Sequence, residues 1–382
     1  MPRRATIWGE QRTPLQADCE VLICGSSFAG LAVARALAGS GAKVLVVDRY
    51  ALGDRQTSAC ATPTAWLKAL SLEETILDTF WELVAHTPTG TTHWPLPFSF
   101  STFDYPALCQ GLWEQAGLPD DAYQIATVKG FADGAVQTDR GELRAALVVD
   151  ALGWRRVLGE GEPIQPPNAF LSRGLEVEAP GEGRGMELWL DPSYVRAGYS
   201  WSFPAAGKLR VGCGSFWPRH HVRQPTERLA AQLGLPADRF HGNWIPHRIR
   251  PAVEGERFFV GDAAGHCLPV TAEGIRTAFY FGLYLGLQLR EVLSGRKDRA
   301  AALAAYASFH QRHAWIYNRL LAVQRAVGYL MPTAAVRGLV RALGNRQLSL
   351  WAFRHYYRIA PPPAQPLGPG AQVAAIVGAL GR

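Results

Sequence analysis

The chain has 382 residues, too many for one ordinary core and enough for two closely packed domains. With 48% apolar and 19% charged residues the composition is ordinary for a soluble globular protein, and no run reaches the ~18 uncharged apolar residues a membrane span needs. The net charge of +7 is uneven, because from residue 300 to residue 382 Arg recurs while Asp and Glu are absent, a basic stretch suited to an anionic partner.

The start, MPRRATIWGEQRTP, is basic but leads into no apolar core, which argues against a signal peptide. Cys19, Cys24, Cys60, Cys109, Cys213 and Cys267 are scattered without CxxC or other metal-ligand spacing, so no metal site is expected and a reducing cytosol fits best. The expectation is a cytoplasmic protein, soluble or at most peripheral to a membrane. Arg far outnumbers Lys beside much Ala, Gly and Pro, which suggests a GC-rich bacterial gene.

In chain order, residues 20–24 (EVLIC) form an apolar run that breaks at Gly25 and passes into helix formers at 29–37. A second apolar run, 43–47, ends at Asp48. This is a β-α-β unit, and near-continuous apolar strands imply a parallel sheet covered on both faces. Helical patterning is read at 64–84, a Pro- and Thr-rich loop at 86–97, and another helix at 105–116. Strands follow at 123–128, 135–138 and 146–149. Residues 171–177, 186–190, 199–203 and 208–214 read as antiparallel strands with turns at 180–185 and 205–207, which marks a second domain. A strand at 257–260 returns to the first domain, a long helix spans 273–293, and 299–357 is helical until the Pro-rich 361–369. No repeat is visible.

Gly25-Ser-Ser-Phe-Ala-Gly30 occupies the turn where a G-x-G-x-x-G fingerprint places a phosphate on the amides of a helix N-terminus. Gly25 makes the tight turn and Gly30 lets the helix pack on the strand. The middle position is Ser27, whose hydroxyl is itself able to bond a phosphate oxygen. Asp48 lies ~20 residues on, placed for a ribose 2′-OH, and an acid there disfavours a 2′-phosphate. FAD or NAD is therefore expected over NADP. The nucleotide set is Gly25, Ser27, Phe28, Ala29, Gly30, Asp48, Arg49, Arg55 and Val128.

The discriminating segment is Phe258-Phe-Val-Gly-Asp-Ala-Ala-Gly-His-Cys-Leu-Pro-Val-Thr-Ala-Glu-Gly-Ile-Arg-Thr-Ala278. A strand stops at Gly261, Asp262 is placed to accept from polyol hydroxyls, a loop with Pro269 follows, and Gly274 and Ile275 offer free amides to an anionic ring edge. It resembles the ribityl-binding motif of the FAD family that includes aromatic hydroxylases, flavin-dependent halogenases and geranylgeranyl reductases. Val148-Val-Asp-Ala-Leu-Gly153 is similar to that family's third signature. The resemblance spans most of 20–293. It implies a Rossmann-like FAD-binding domain (18–158 with 251–297), an inserted antiparallel β-sheet substrate domain (159–250, with part of 64–104), a C-terminal helical region (298–360) and a tail (361–382).

Gly198-Tyr-Ser-Trp-Ser-Phe-Pro204 resembles the Y-x-W-x-F-P segment of geranylgeranyl reductases. Strand alternation puts Tyr199, Trp201 and Phe203 on one face, as an aromatic wall for an apolar substrate or as sheet core. Cys60 falls near the reductases' Cys-Gly pair, although the Gly is Ala61. The catalytic candidates are Tyr199, Trp201 and Cys60, with packing the stronger reading of Cys60 because nothing nearby lowers its pKa.

The resemblance thus implies reduction of carbon–carbon double bonds in a prenyl-like substrate by hydride from reduced FAD, with Tyr199 or a nearby group as proton donor. NAD(P)H or a separate protein would be the electron donor, since no second Gly-rich nucleotide motif is visible. One alternative is a monooxygenase or halogenase, for which Lys68 would have to leave a helix surface to act as the halogenating amine. The other is a redox-neutral cyclase similar to lycopene cyclases, with Glu273 as acid; otherwise Glu273 is a first-turn residue complementing the helix dipole. The C-terminal region mixes Trp315, Tyr317, Leu320, Leu321, Val323, Leu330 and Trp351 with Arg312, Arg319, Arg325, Arg337, Arg341, Arg354 and Arg358, which suits an anionic membrane surface. No nucleic-acid-binding fold accompanies it, and the sequence leaves the oligomeric state open.

Overall fold

The computed structural model describes residues 14–15, 18–160, 170–330 and 334–363. The basic start and all but the first three residues of the expected tail lie outside the described residues.

The nucleotide-type unit is β1 (Asp18–Cys24), α1 (Phe28–Ala36) and β2 (Val44–Asp48). The inner half of β1, 21–24, is buried, and parallel neighbours flank it on both edges, with Cys24 in register with Val47 of β2 and with Asp150 further along. Then come β3 (Ala61–Pro63), α2 (Thr64–Ala69), β4 (Ile76–Thr87), β5 (Gly90–Phe103) and α3 (Tyr105–Ala116). α3 has the ends its sequence demands: Asp104 caps it by accepting from the Ala107 amide at 2.9 Å, Pro106 sits in its first turn, and Gly117 closes it in the left-handed region at φ 62°.

β6 (Tyr123–Ile125), β7 (Val128–Ala132), β8 (Ala135–Thr138) and β9 (Gly141–Asp150) return to the first sheet. Its order is β15-β16-β9-β1-β2-β6, with β7 and β8 joined through β9; β15 (Val253–Glu254) and β16 (Arg257–Phe259) arrive from far downstream.

The second sheet takes β10 (Leu171–Pro180), β11 (Met186–Trp189), β12 (Gly198–Pro204), β13 (Lys208–Ser215) and, after α4 (Arg223–Gln232), β14 (Phe240–Pro246). Its order is β14-β10-β13-β12-β11-β4-β5-β3, and every pair is antiparallel except β4 with β11. The chain ends in α5 (Ile275–Leu293), the 32-residue α6 (Arg299–Leu330), α7 (Ala334–Ala342) and α8 (Arg346–Tyr357). No described helix is long and apolar enough to cross a membrane.

The structure therefore has the expected α/β architecture, with corrections. The helix read at 64–84 stops at Ala69, and the loop read at 86–97 is strand: 76–103 form a long hairpin. The prolines that signalled a loop sit at an irregularity, where Glu82 pairs with Pro95 but Phe80 pairs with Phe100, so β5 bulges over 96–99. Residues 123–128 divide between two strands because the chain leaves the parallel sheet after Ile125. α4 and β14 were not read from the sequence.

Candidate functional site

The β1–α1 turn is built by backbone contact. Gly25 is at φ 110°, and a Cβ there would lie 2.3 Å from the Ala151 carbonyl oxygen; a Cβ on Gly30 would lie 1.9 Å from the Gly25 carbonyl oxygen. Only glycine admits this packing, and it points the first amides of α1 outward. Ser27 is the exposed N-cap of α1 at the position of the middle glycine, extended and without a side-chain capping bond, its side chain hydrogen-bonded with Tyr105.

Asp48 ends β2 beside this turn. It accepts from the Ser26 amide (2.8 Å) and hydroxyl (3.1 Å) and from the Tyr50 amide (3.2 Å). Those bonds orient a half-buried carboxylate that keeps further acceptor capacity. Arg49 and Arg55 flank it over the Tyr50 ring, 4.9 and 5.7 Å from its centroid. Val128 is buried at the start of β7.

Gly261 turns at φ 64°, and a Cβ on it would lie 2.8 Å from that of Ala29, so this turn sits against the α1 N-terminus. Asp262 follows, half-buried, with no hydrogen-bond partner for its carboxylate among the described residues. One of its oxygens lies 3.7 Å from where a Cβ on Gly274, the α5 N-cap, would stand. Burial pushes this carboxyl up to about 6 against an opposing pull from Arg250. An acceptor left without a partner beside two helix N-termini is what a bound polyol would satisfy. Ile275 starts α5 and is buried, and Pro269 is buried in the loop between.

The C-terminal helices hold this loop by its carbonyls. On α6, Tyr306 donates to the Phe259 carbonyl (2.9 Å), Tyr317 to that of His266 (2.7 Å) and Gln324 to that of Pro269. The Gly261 amide donates to His266 Nδ1 (3.1 Å), which leaves His266 Nε2 to donate to His310 Nδ1 at 3.0 Å. Burial lowers both imidazoles, His310 to about 4, so the pair is neutral.

Glu273 precedes the N-cap Gly274 rather than occupying the first turn of α5. It pairs with Arg276 Nε at 2.7 Å and accepts from the Tyr356 hydroxyl, while Arg276, fully buried, donates to the carbonyls of Tyr356 and Tyr357 at the end of α8. Its role is to fasten α8 to the loop. Asp150, of the third signature, is fully buried and accepts from the amides of Leu152 (2.9 Å) and Leu158 (2.8 Å), so it shapes a loop.

The second sheet supplies the facing wall. Tyr199, Trp201 and Phe203 are half-buried on one face of β12, and Ser200 and Ser202 are buried on the other. The Tyr199 hydroxyl donates to the Thr271 carbonyl, and burial raises its pKa above the usual phenol value. That removes Tyr199 as a ready acid. Trp201 lies flat on glycines: a Cβ on Gly212 would fall 2.4 Å from its ring, one on Gly214 3.4 Å, and one on Gly174 3.8 Å. Its indole nitrogen donates to Glu176 Oε2 (3.0 Å), and His241 Nε2 is 2.7 Å from Glu176 Oε1.

Cys60 is 0% exposed, and burial pushes its thiol well above the ordinary value, Arg210 pulling the other way. It is held as a buried thiol, in keeping with a packing role. Lys68 is exposed on α2. Sequence reasoning missed Glu176, His241, Thr271, Arg250 and the His266–His310 pair. An acid in the middle of an apolar strand was the available signal for Glu176.

No family model matches the chain, and no curated protein is similar to it. Solved structures do match. A geranylgeranyl bacteriochlorophyll reductase-like protein from Thermoplasma acidophilum has a TM-score of 0.74 at 16% identity over 95% of this chain and 99% of its own. The HpxO protein of Klebsiella pneumoniae, solved with FAD and uric acid, gives 0.66 at 14% identity, covering 90% of this chain and 97% of its own. The flavin-dependent brominase Bmp2 gives 0.63 at 16% identity, covering 90% and 98%. The chain has the fold of these flavoproteins.

Proposed function

We propose that the protein is an FAD-dependent oxidoreductase that reduces carbon–carbon double bonds of an apolar, prenyl-like substrate. The observation that carries the cofactor reading is the partnerless Asp262 carboxylate beside the N-termini of α1 and α5. The residues present fit FAD: the α1 amides and Ser27 for the diphosphate, Asp48 for the ribose, Asp262 for the ribityl chain, and Gly274 and Ile275 for the ring edge. When bound and reduced, FAD supplies the hydride.

The chain's own residues do the rest. Tyr199, Trp201 and Phe203 present an apolar face to the substrate, and α6 and α8 hold the 261–274 loop in place. The reductant is NAD(P)H or a partner protein. The reductase reading is supported by the first of the similar structures and by the aromatic face. The second reading, a monooxygenase or halogenase, has its support in the likeness to HpxO and Bmp2. The cyclase reading loses its acid, since Glu273 is committed to Arg276 and Tyr356.

The test is anaerobic: photoreduced holoprotein is mixed with geranylgeraniol and the flavin absorbance followed. Reoxidation without oxygen supports reduction, and reoxidation only with oxygen and substrate supports the second reading. A colourless protein that takes up no FAD would sink both.

The C-terminal surface is read as a contact for an anionic membrane. Trp315, Tyr329, Leu330 and Trp351 are exposed, Arg319 stacks 4.8 Å over Trp315, and no acid follows residue 299. Tyr317 and Leu321, by contrast, are buried against the core. Co-sedimentation with phosphatidylglycerol vesicles, lost with phosphatidylcholine alone or in high salt, is the expected result.

A further inference from the structure

The hydride adds to one alkene carbon; the other must take a proton, and Tyr199 is poorly placed to give one because its hydrogen is held by the Thr271 carbonyl. The same sheet face holds a better acid. In register across β14, β10, β13 and β12 stand His241, Glu176, Gly212 and Trp201, so all four share the face that carries the aromatic wall. Glu176 is 1% exposed, yet both its oxygens are used, one by the Trp201 indole (3.0 Å) and one by His241 Nε2 (2.7 Å). A buried carboxylate held this way fixes the imidazole and favours its charged form.

We propose that His241 is the proton donor of this flavoenzyme, with Glu176 as the residue that positions it and Trp201 as the floor that fixes Glu176. The inference rests on the reductase reading. The His241 Nδ1–H bond breaks as the C–H bond forms on the carbon that does not receive the hydride. The alkene gains one hydride and one proton, the cofactor is oxidised, and solvent returns the proton to His241.

Nδ1 has no partner among the described residues and the side chain is 20% exposed, so that nitrogen is open to an incoming group. Burial alone would lower the His241 pKa; hydrogen bonding and attraction by Glu176, with a further pull from Glu178 and against Arg210, raise it above the ordinary imidazole value. Glu178 on β10 and Arg210 on β13 pair with each other at 2.9 Å, so Glu176 is the acid that governs His241.

Two measurements test this together. Histidine-labelled holoprotein, with His241 assigned by its loss in His241→Gln, is titrated by NMR; its pKa is expected above that of free imidazole and falls in Glu176→Gln. In the anaerobic assay with geranylgeraniol, His241→Gln retains its flavin but is reoxidised roughly 100-fold more slowly. In Glu176→Gln the alkaline limb of the rate moves to lower pH by the NMR shift. Reoxidation of His241→Gln at the wild-type rate, or an NMR pKa indifferent to Glu176→Gln, overturns the proton-donor assignment alone. A wild type that geranylgeraniol never reoxidises overturns the reductase reading and this proposal with it.

Discussion

Two sets of glycines build the two halves of the site, and they work in opposite ways. At Gly25 and Gly30 the missing Cβ lets backbone meet backbone, and what results is one helix N-terminus with outward amides. At Gly174 and Gly214 it lets a side chain lie down, and the Trp201 ring fills the space, while Gly212 does both, since a Cβ there would meet the ring at 2.4 Å and the Leu175 carbonyl oxygen at 2.6 Å. The first set is part of the chain's architecture; the second sets only the height of a wall. Damage to the first should cost cofactor and fold together, and damage to the second should change chemistry at constant flavin content.

The largest effect is expected from Gly30→Val, which forces Cβ into the Gly25 carbonyl. It should leave little or no FAD-loaded folded protein, read as flavin absorbance per chain and as a collapse in Tm. Next is Asp262→Ala, which should keep the fold while weakening FAD binding at least 10-fold by flavin titration, since a charged acceptor of polyol hydroxyls is lost. Unchanged flavin content would remove the anchor of the cofactor reading.

Asp262→Asn sharpens the point through pH. Burial pushes the folded carboxyl up to about 6 from 3.8 for an ordinary Asp, so the folded apo chain favours the protonated acid. The charged form's cost is absent below 3.8 and fully present above about 6. Apo Asp262→Asn should therefore melt above the wild type at pH 8, and the gap should close as pH falls through 6 toward 4.

On the other wall, Gly214→Ala, whose Cβ would fall 3.4 Å from the Trp201 ring, should shift the indole fluorescence and slow substrate reduction several-fold with full flavin occupancy. Smallest is Cys60→Ala, expected to leave turnover within about twofold and to cost about 1 kcal/mol of stability through a small cavity. A large loss of turnover at normal stability would restore the thiol to the chemistry.

What the sequence made legible follows the same division. The β1–α1–β2 unit and the Gly261–Asp262 segment are local: turn, strand and helix signals lie within a few residues of the groups they position. The 76–103 hairpin was misread because its apolar spacing imitates a helix and its prolines lie in a bulge that only pairing with β4 explains. Glu273 looked like a dipole partner because one of its two partners, Tyr356, is 83 residues away. The His241–Glu176 pair spans 65 residues and exists only through sheet register. Long-range pairing was the information that local patterns did not carry.

The order in which strands enter the two sheets has a consequence for synthesis. The chain lays down β1 and β2, leaves to make β3–β5, returns for β6–β9, leaves again for β10–β14, and returns for β15 and β16. β4 waits for β11 as its parallel neighbour, and β9 waits for β16. The second sheet is complete only once residue 246 is made and the first only once residue 259 is made, and the helices that hold the 261–274 loop come later still. Non-local pairing of this kind is slow and leaves strand edges open in the meantime. Cutting the gene between β9 and β10 would thus yield two fragments that each carry unpaired strands of both sheets, and the two should fold only when made together.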